Sequence, residues 1–141
     1  MQDKKIEIRY FSRSGNTKKV AEAMAEQLGI KAYDITKKVE QADILFLGAA
    51  IYWLKIDQKV KKFITELDAS KVHMVIIFST SFFTELAYPE LKEKLIKKGI
   101  KVENRYFYCH GALMKYHDQR VSQESLNDAK RFAKVLSEKT D

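Results

Sequence analysis

Cysteine is almost missing from this 141-residue chain: Cys109 stands alone. No internal disulfide can form, and the composition suits a reducing compartment. Long apolar runs are missing too, since the longest nearly unbroken one, residues 44 to 54, falls well short of the roughly 20 residues a membrane helix needs. The opening MQDKKIEIRY reads as a strand and lacks the apolar stretch and small-residue cleavage site of a secretory signal. Linkers, internal repeats and low-complexity tracts are absent as well. Together these absences predict a cytoplasmic protein with no membrane contact. At 45% hydrophobic content the chain forms one domain, residues 1–141, with a core of its own.

What is present in excess is positive charge: 26 Lys and Arg against 19 Asp and Glu, a net +7. A basic balance raises the question of nucleic acid. The lysine pairs at 4–5, 18–19, 37–38, 61–62 and 97–98 are spread along the chain rather than gathered in one arm. They read as solvated helix faces, and no nucleic-acid partner is expected. A basic surface still attracts acidic proteins or anionic small molecules.

Hydrophobic periodicity alternates between strand and helix. Ile6, Ile8 and Tyr10 alternate with Glu7 and Arg9, giving a first strand over 5–11. Val20, Ala21, Met24, Ala25 and Leu28 share one face of a helix over 16–28, with Gly29 at its stop. A short strand at 31–35 is followed by TKKVEQAD, which has room for little more than one helical turn, and then by ILFLGAAI, a strand buried on both faces. Helical spacing at Val60, Phe63, Ile64 and Leu67 precedes a β-branched strand over 72–79. Pro89 is placed to open a helix with Leu91, Leu95 and Ile96 inward. KVENRYFY makes the fifth strand, and Ser122 caps a last helix built on Leu126, Ala129, Ala133 and Leu136.

Strands interleaved with helices imply a parallel α/β sheet with right-handed crossovers. Ligands of such sheets bind beyond the carboxyl ends of the strands, where strand order reverses. One misfit appears. Glu7 and Arg9 share a face of a strand near the sheet's middle, where burying charge is costly. The short crossover at 36–42 leaves that side thinly covered, so the two side chains are expected to meet solvent or each other.

The loops after the strands hold the residues suited to chemistry. SRSGNT offers hydroxyls at Ser12, Ser14 and Thr17, with Gly15 allowing close approach and Asn16 leading into the helix. Amides at a helix N-terminus, at the positive end of its dipole, bind anions without a lysine finger. The GK[ST] ending of triphosphate loops and the GxGxxG of dinucleotide folds are both missing, so neither ATP nor NAD is favoured. The alternative is a Ser or Asn cap on an ordinary helix. After the third strand, Tyr52 and the sole tryptophan, Trp53, sit where aromatic rings wall a flat ligand, unless Trp53 packs under its own loop. The fourth strand ends in STSFF and the fifth in CHGAL, where Gly111 permits a tight loop.

These three loops in register resemble the flavodoxin family over nearly the whole chain. SRSGNT is similar to the family's phosphate loop, AAIYW to the loop on one side of the flavin ring, and CHGAL to the loop on the other. The resemblance implies a flavodoxin-like three-layer sandwich, with a five-stranded parallel sheet in the order 2-1-3-4-5 and a shortened second crossover. It also implies one non-covalent FMN. By the same resemblance Ser12, Arg13, Ser14, Gly15, Asn16 and Thr17 hold the phosphate, with Arg13 adding charge, and Ala50, Ile51, Tyr52 and Trp53 contact the isoalloxazine. Thr80 and Ser81 touch the ribityl chain or phosphate, and Cys109, His110 and Gly111 approach the pyrimidine side. Cys109 is expected to be a buried structural thiol. Three separated histidines and one cysteine make no metal site.

The chain departs from the family at Ala49 and Ala50, where many members have Ser-Pro or Thr-Pro, and at Asp57, where they have Pro; IYWLKI also lacks the glycine common in electron shuttles. Shuttling flavodoxins are typically acidic, whereas here Lys55, His110, Lys115 and Arg120 lie on candidate rim loops. Coulomb attraction then favours the anionic reduced flavin and two-electron use. The expected function is FMN-dependent redox chemistry. It takes the form of an electron carrier with a redox protein partner, or of a small reductase passing hydride to a small-molecule acceptor. A flavin-free binding or regulatory module on the same fold is the alternative. A phosphorylated receiver domain is disfavoured because ILFLGAA offers no aspartate, and a cysteine phosphatase because CHGALMK has no arginine.

Overall fold

The computed structural model describes residues 4–13, 15–49, 56–80, 84–109 and 121–138. In chain order the elements are β1 (Ile6–Phe11), α1 (Asn16–Leu28), β2 (Ala32–Asp34), β3 (Ala42–Ala49), α2 (Gln58–Thr65), β4 (Val72–Ser79), α3 (Thr84–Lys97), β5 (Lys101–Val102), β6 (Phe107–Tyr108) and α4 (Gln123–Ser137). Every pairing in the sheet is parallel, in the order β2-β1-β3-β4-β5, and β6 also pairs with β4. The order turns back at β1, which lies between β2 and β3.

Alternate residues of the central strands feed two cores. Ile8, Phe46, Ile76 and Phe78 pack with Val20 and Met24 of α1 and with Ala129 and Ala133 of α4. Leu45, Leu47, Val75 and Ile77 face the other way, toward Val60 and Phe63 of α2 and Leu91 and Leu95 of α3. Strands apolar on both faces are what a covered parallel sheet requires. Each fully buried aliphatic side chain contributes about 1.5–3 kcal/mol. At Gly48 a Cβ would stand 2.3 Å from the Phe78 ring. Phe78 lies opposite Gly48 in register, so the missing side chain is what lets that ring rest on β3.

The expected fifth strand is divided. From Met74 to Phe78, β4 advances four residues, while its edge neighbour advances six, from Lys101 to Phe107. Two residues are therefore looped out between β5 and β6. The Glu103 carboxylate draws the chain aside, accepting from the backbone N of Arg105 at 3.0 Å and from its Nε at 3.1 Å. The Tyr88 hydroxyl donates to the Glu103 carbonyl at 2.7 Å. Local side-chain bonds of this kind compete directly with ladder bonds.

The crossover from β2 to β3 contains no helix, only a turn in which Lys37 N donates to Asp34 O. Glu7 and Arg9 do meet each other, at 2.8 Å. The expectation of thin cover fails for Arg9, which is only 2% exposed. Its Nε donates to Lys37 O at 2.8 Å and its Nη2 to Lys38 O at 2.9 Å. Its guanidinium also lies over the Tyr33 ring, 5.2 Å from the centroid. The planar fork of an arginine thus satisfies carbonyls that a helix would have satisfied internally. Beside this crossover a groove of about 390 Å³ remains, floored by Ile35, Val39, Phe63 and Leu67.

Pro89 does not open α3; the helix starts five residues earlier, at Thr84, and Pro89 lies inside it. A proline in the second turn forfeits one backbone bond, a cost the packing of Leu91 and Leu95 offsets. Ile96, expected inward, is 51% exposed. It follows Leu95 by about 100° around the helix, past the edge of the buried stripe. No helix among the described residues is long and apolar enough to cross a membrane.

Candidate anion site at the strand ends

The end of β1 and the start of α1 make a compact turn. Gly15 adopts φ 94°, a left-handed conformation that glycine enters without steric cost. A Cβ placed on it would meet nothing within 4 Å. The glycine is therefore demanded by the backbone angle and not, among the described residues, by crowding. Gly15 N donates to Ser12 Oγ at 3.0 Å, which ties the loop back on itself. Lys19 N makes the first bond one turn back in α1, to Gly15 O at 3.1 Å.

Among the described residues no side-chain cap bond is made at Gly15, the cap position of α1, and the first turn of α1 carries no acidic residue. Of the Ser or Asn cap that SRSGNT also allowed, the described residues show Gly15 at the cap position with no side-chain cap bond, and Ser12 Oγ accepting from Gly15 N ahead of the helix; Ser14 lies outside the described residues. The other helix starts differ. Asp57 caps α2 by accepting from Lys59 N at 2.8 Å, and Ser122 caps α4 by accepting from Ser125 N at 3.1 Å. A helix start with no acidic residue in its first turn presents the positive end of its dipole to an anion.

Two long-range contacts assemble this corner. Thr17 Oγ1 and Thr80 Oγ1 lie 2.7 Å apart, joining the first turn of α1 to the residue after β4. Both are buried, at 1% and 6% exposure. Arg13 Nη2 donates to Asp57 Oδ2 at 2.8 Å, so the guanidinium expected to add charge to a phosphate is engaged with the base of α2. Asp57's carboxyl is held below the ordinary carboxylate value by its bond from Lys59 N, against some burial, and then by Arg13.

Cys109 follows β6, and its N donates to Ser79 O at 3.2 Å. Burial pushes its thiol up to about 11, although a hydrogen bond with Ser125 pulls the other way and Asp128 adds to the rise. It remains a protonated, buried thiol at neutral pH and is no nucleophile. His73 stands on the surface beside Asp43, Nδ1 to Oδ1 3.3 Å. Among the described residues no group of His, Cys, Asp and Glu could hold a metal ion.

A family model for the flavodoxin domain matches residues 7–133. The chain belongs to the flavodoxin family. An uncharacterized protein of Methanocaldococcus jannaschii is 28% identical over 138 residues, covering 86% of this chain and 89% of that one. Among solved structures, a flavodoxin from the domain Archaea superposes with a TM-score of 0.76 at 20% identity, over 94% of this chain and 96% of its own. Oxidised flavodoxin 2 from Bacillus cereus gives 0.71 at 18% identity, over 96% and 99%. These two likenesses are of fold.

In this flavodoxin-family chain the structure brings Ser12, Arg13, Gly15, Asn16, Thr17 and Thr80 together at one corner, where β1 and β4 end. Cys109 sits across the sheet end, beside Ser79. Ser14, Ala50, Ile51, Tyr52, Trp53, Ser81, His110 and Gly111 lie outside the described residues, as do Lys55, Lys115, His117 and Arg120. Sequence reasoning missed Asp57 as a site residue. Its position just before a helical period is a signal for a cap, but no local signal announces a bond to Arg13, 44 residues earlier.

Proposed function

We propose that the protein binds FMN non-covalently, with the phosphate at the N-terminus of α1, and works as a redox protein. The observation that carries this is the acid-free start of α1 behind a left-handed Gly15 that, among the described residues, takes no side-chain cap bond, in a flavodoxin-family chain whose α2 and α4 are capped by their own side chains. The donor types of this segment fit a phosphate: backbone amides at a helix start and the hydroxyls of Ser12, Ser14 and Thr17. Thr80 and Ser81 complete that end. Ala50, Ile51, Tyr52 and Trp53 wall the flavin ring, and Cys109, His110 and Gly111 border its pyrimidine edge.

FMN supplies the redox chemistry when bound, and the chain binds, orients and tunes it. The net charge of +7 supports a two-electron role, because cations stabilise added negative charge. A reductase and a carrier then differ in their donor: the first takes hydride from NAD(P)H, the second takes electrons from a protein. Cytoplasmic location belongs to the same reading.

Titration of purified protein with FMN, followed by flavin fluorescence and absorption, tests the assignment. Saturation at one FMN per chain is expected. A protein that takes up none is instead the flavin-free module. Stopped-flow mixing of the loaded protein with NADPH separates reductase from carrier, and a photoreduction titration reads whether one or two electrons are taken at a time.

A further inference from the structure

We propose that Thr80 is a positioning residue that turns the Thr17 hydroxyl into a hydrogen-bond donor for the phosphate, and so sets a preference for phosphorylated over unphosphorylated flavin. The inference rests on the FMN reading above. Thr17 stands in the first turn of α1, and Thr80 directly follows β4. Their hydroxyl oxygens are 2.7 Å apart, and either can be the donor.

A hydroxyl has one proton to give and two lone pairs to receive with. If Thr17 donates to Thr80, only lone pairs are left to face a ligand, and an anion is repelled. If Thr80 donates, the Thr17 proton is left for the ligand. A phosphate presents acceptors, so its arrival selects the second arrangement. Hydroxyls aligned in one direction polarise each other, which strengthens the terminal donor. Riboflavin ends in an alcohol that both gives and accepts, so it draws no advantage from a fixed donor.

The test compares FMN and riboflavin dissociation constants for the full chain and for Thr80→Val, Thr80→Ser, Thr17→Val and the Val-Val double variant, with melting temperatures of the flavin-free proteins alongside. Valine keeps the branched shape without the hydroxyl. Thr17→Val is expected to weaken FMN about tenfold, the effect of one charge-assisted hydrogen bond, and Thr80→Val, which leaves the Thr17 hydroxyl present but unaligned, about threefold, with riboflavin unchanged by either. Thr80→Ser should keep the original ratio, and adding Thr80→Val to Thr17→Val should cost FMN binding nothing more. Thr80→Ala takes the place of the valine variant should the latter fail to fold. Equal loss for both flavins, or an unchanged FMN preference, overturns the relay while leaving the FMN assignment standing. A wild-type protein that binds neither flavin overturns both.

Discussion

α1 and α2 each follow a strand of the same parallel sheet, and their first turns are built in opposite ways. At α2 the chain supplies its own acceptor: Asp57 takes the amide of Lys59 and, through its other oxygen, the guanidinium of Arg13. At α1 no side chain among the described residues makes a cap bond, and no carboxylate stands in the first turn. The loop there is shaped by a left-handed glycine. α4, capped by Ser122 and carrying Glu124 in its first turn, follows the pattern of α2. A helix that only has to be stable completes its own N-terminus, while one that receives an anion leaves the completion to the ligand.

The comparison breaks most sharply if α1 is made to resemble α2. Gly15→Asp places a carboxylate at the mouth of α1, and aspartate tolerates the left-handed region better than most residues. FMN affinity is expected to fall roughly a hundredfold, the order of two like charges a few ångströms apart near a surface, with the fold retained by circular dichroism. Calorimetric titration giving an unchanged FMN affinity would remove the anion from this corner.

The reverse change has a smaller effect. Asp57→Ala deletes a cap worth about 1 kcal/mol and lowers the melting temperature by about 4 °C for a chain of this size. It also releases Arg13 from its carboxylate, so FMN affinity should hold or rise two- to threefold, roughly what a screened surface charge contributes. Stability and affinity then move in opposite directions. A drop in FMN affinity matching that of Gly15→Asp would show that the two helix starts do not differ in kind.

How much of this contrast could be had from the chain alone depends on the range of the interactions. Period-3.6 spacing carried α1 through Val20, Ala21 and Met24, and all three are buried. The continuous apolar run carried β3, because burial on both faces leaves a local mark. Pro89 misled, since a proline signals a helix start only when packing agrees, and Leu91 and Leu95 hold a helix that begins before it. KVENRYFY gave no hint of its break, which depends on Glu103 bonding Arg105 rather than the sheet. At the site, SRSGNT was visible as spacing and residue type. The pairs that organise it, Thr17 with Thr80 and Arg13 with Asp57, span 63 and 44 residues, and only the fold brings them together.

α4 offers a cap outside the corner proposed for the phosphate, with its first turn joined to Cys109 through Ser125. Ser122→Ala removes the acceptor for Ser125 N and is expected to cost about 0.5–1 kcal/mol, read by urea denaturation. FMN affinity should stay within error. Loss of affinity here would mean that the start of α4, through its stability or through the Ser125–Cys109 contact, governs binding alongside the start of α1.

The smallest expected effect is on acid sensitivity, and it separates the two tasks of Asp57. Its carboxyl is depressed below its ordinary value by the bond from Lys59 N and, more weakly, by Arg13. A group depressed in the folded state adds stability above its unfolded pKa and loses that contribution as pH falls through the folded one. Asp57→Asn keeps a cap acceptor but carries no charge to titrate. Between pH 6 and pH 2.5 the wild type should therefore lose more stability than Asp57→Asn, by about half a kcal/mol or less, since exposed ion pairs are screened. Denaturation midpoints measured across that range give the difference directly. Parallel curves would mean that Asp57 acts at α2 through its cap geometry alone, and that its charge does nothing to hold Arg13.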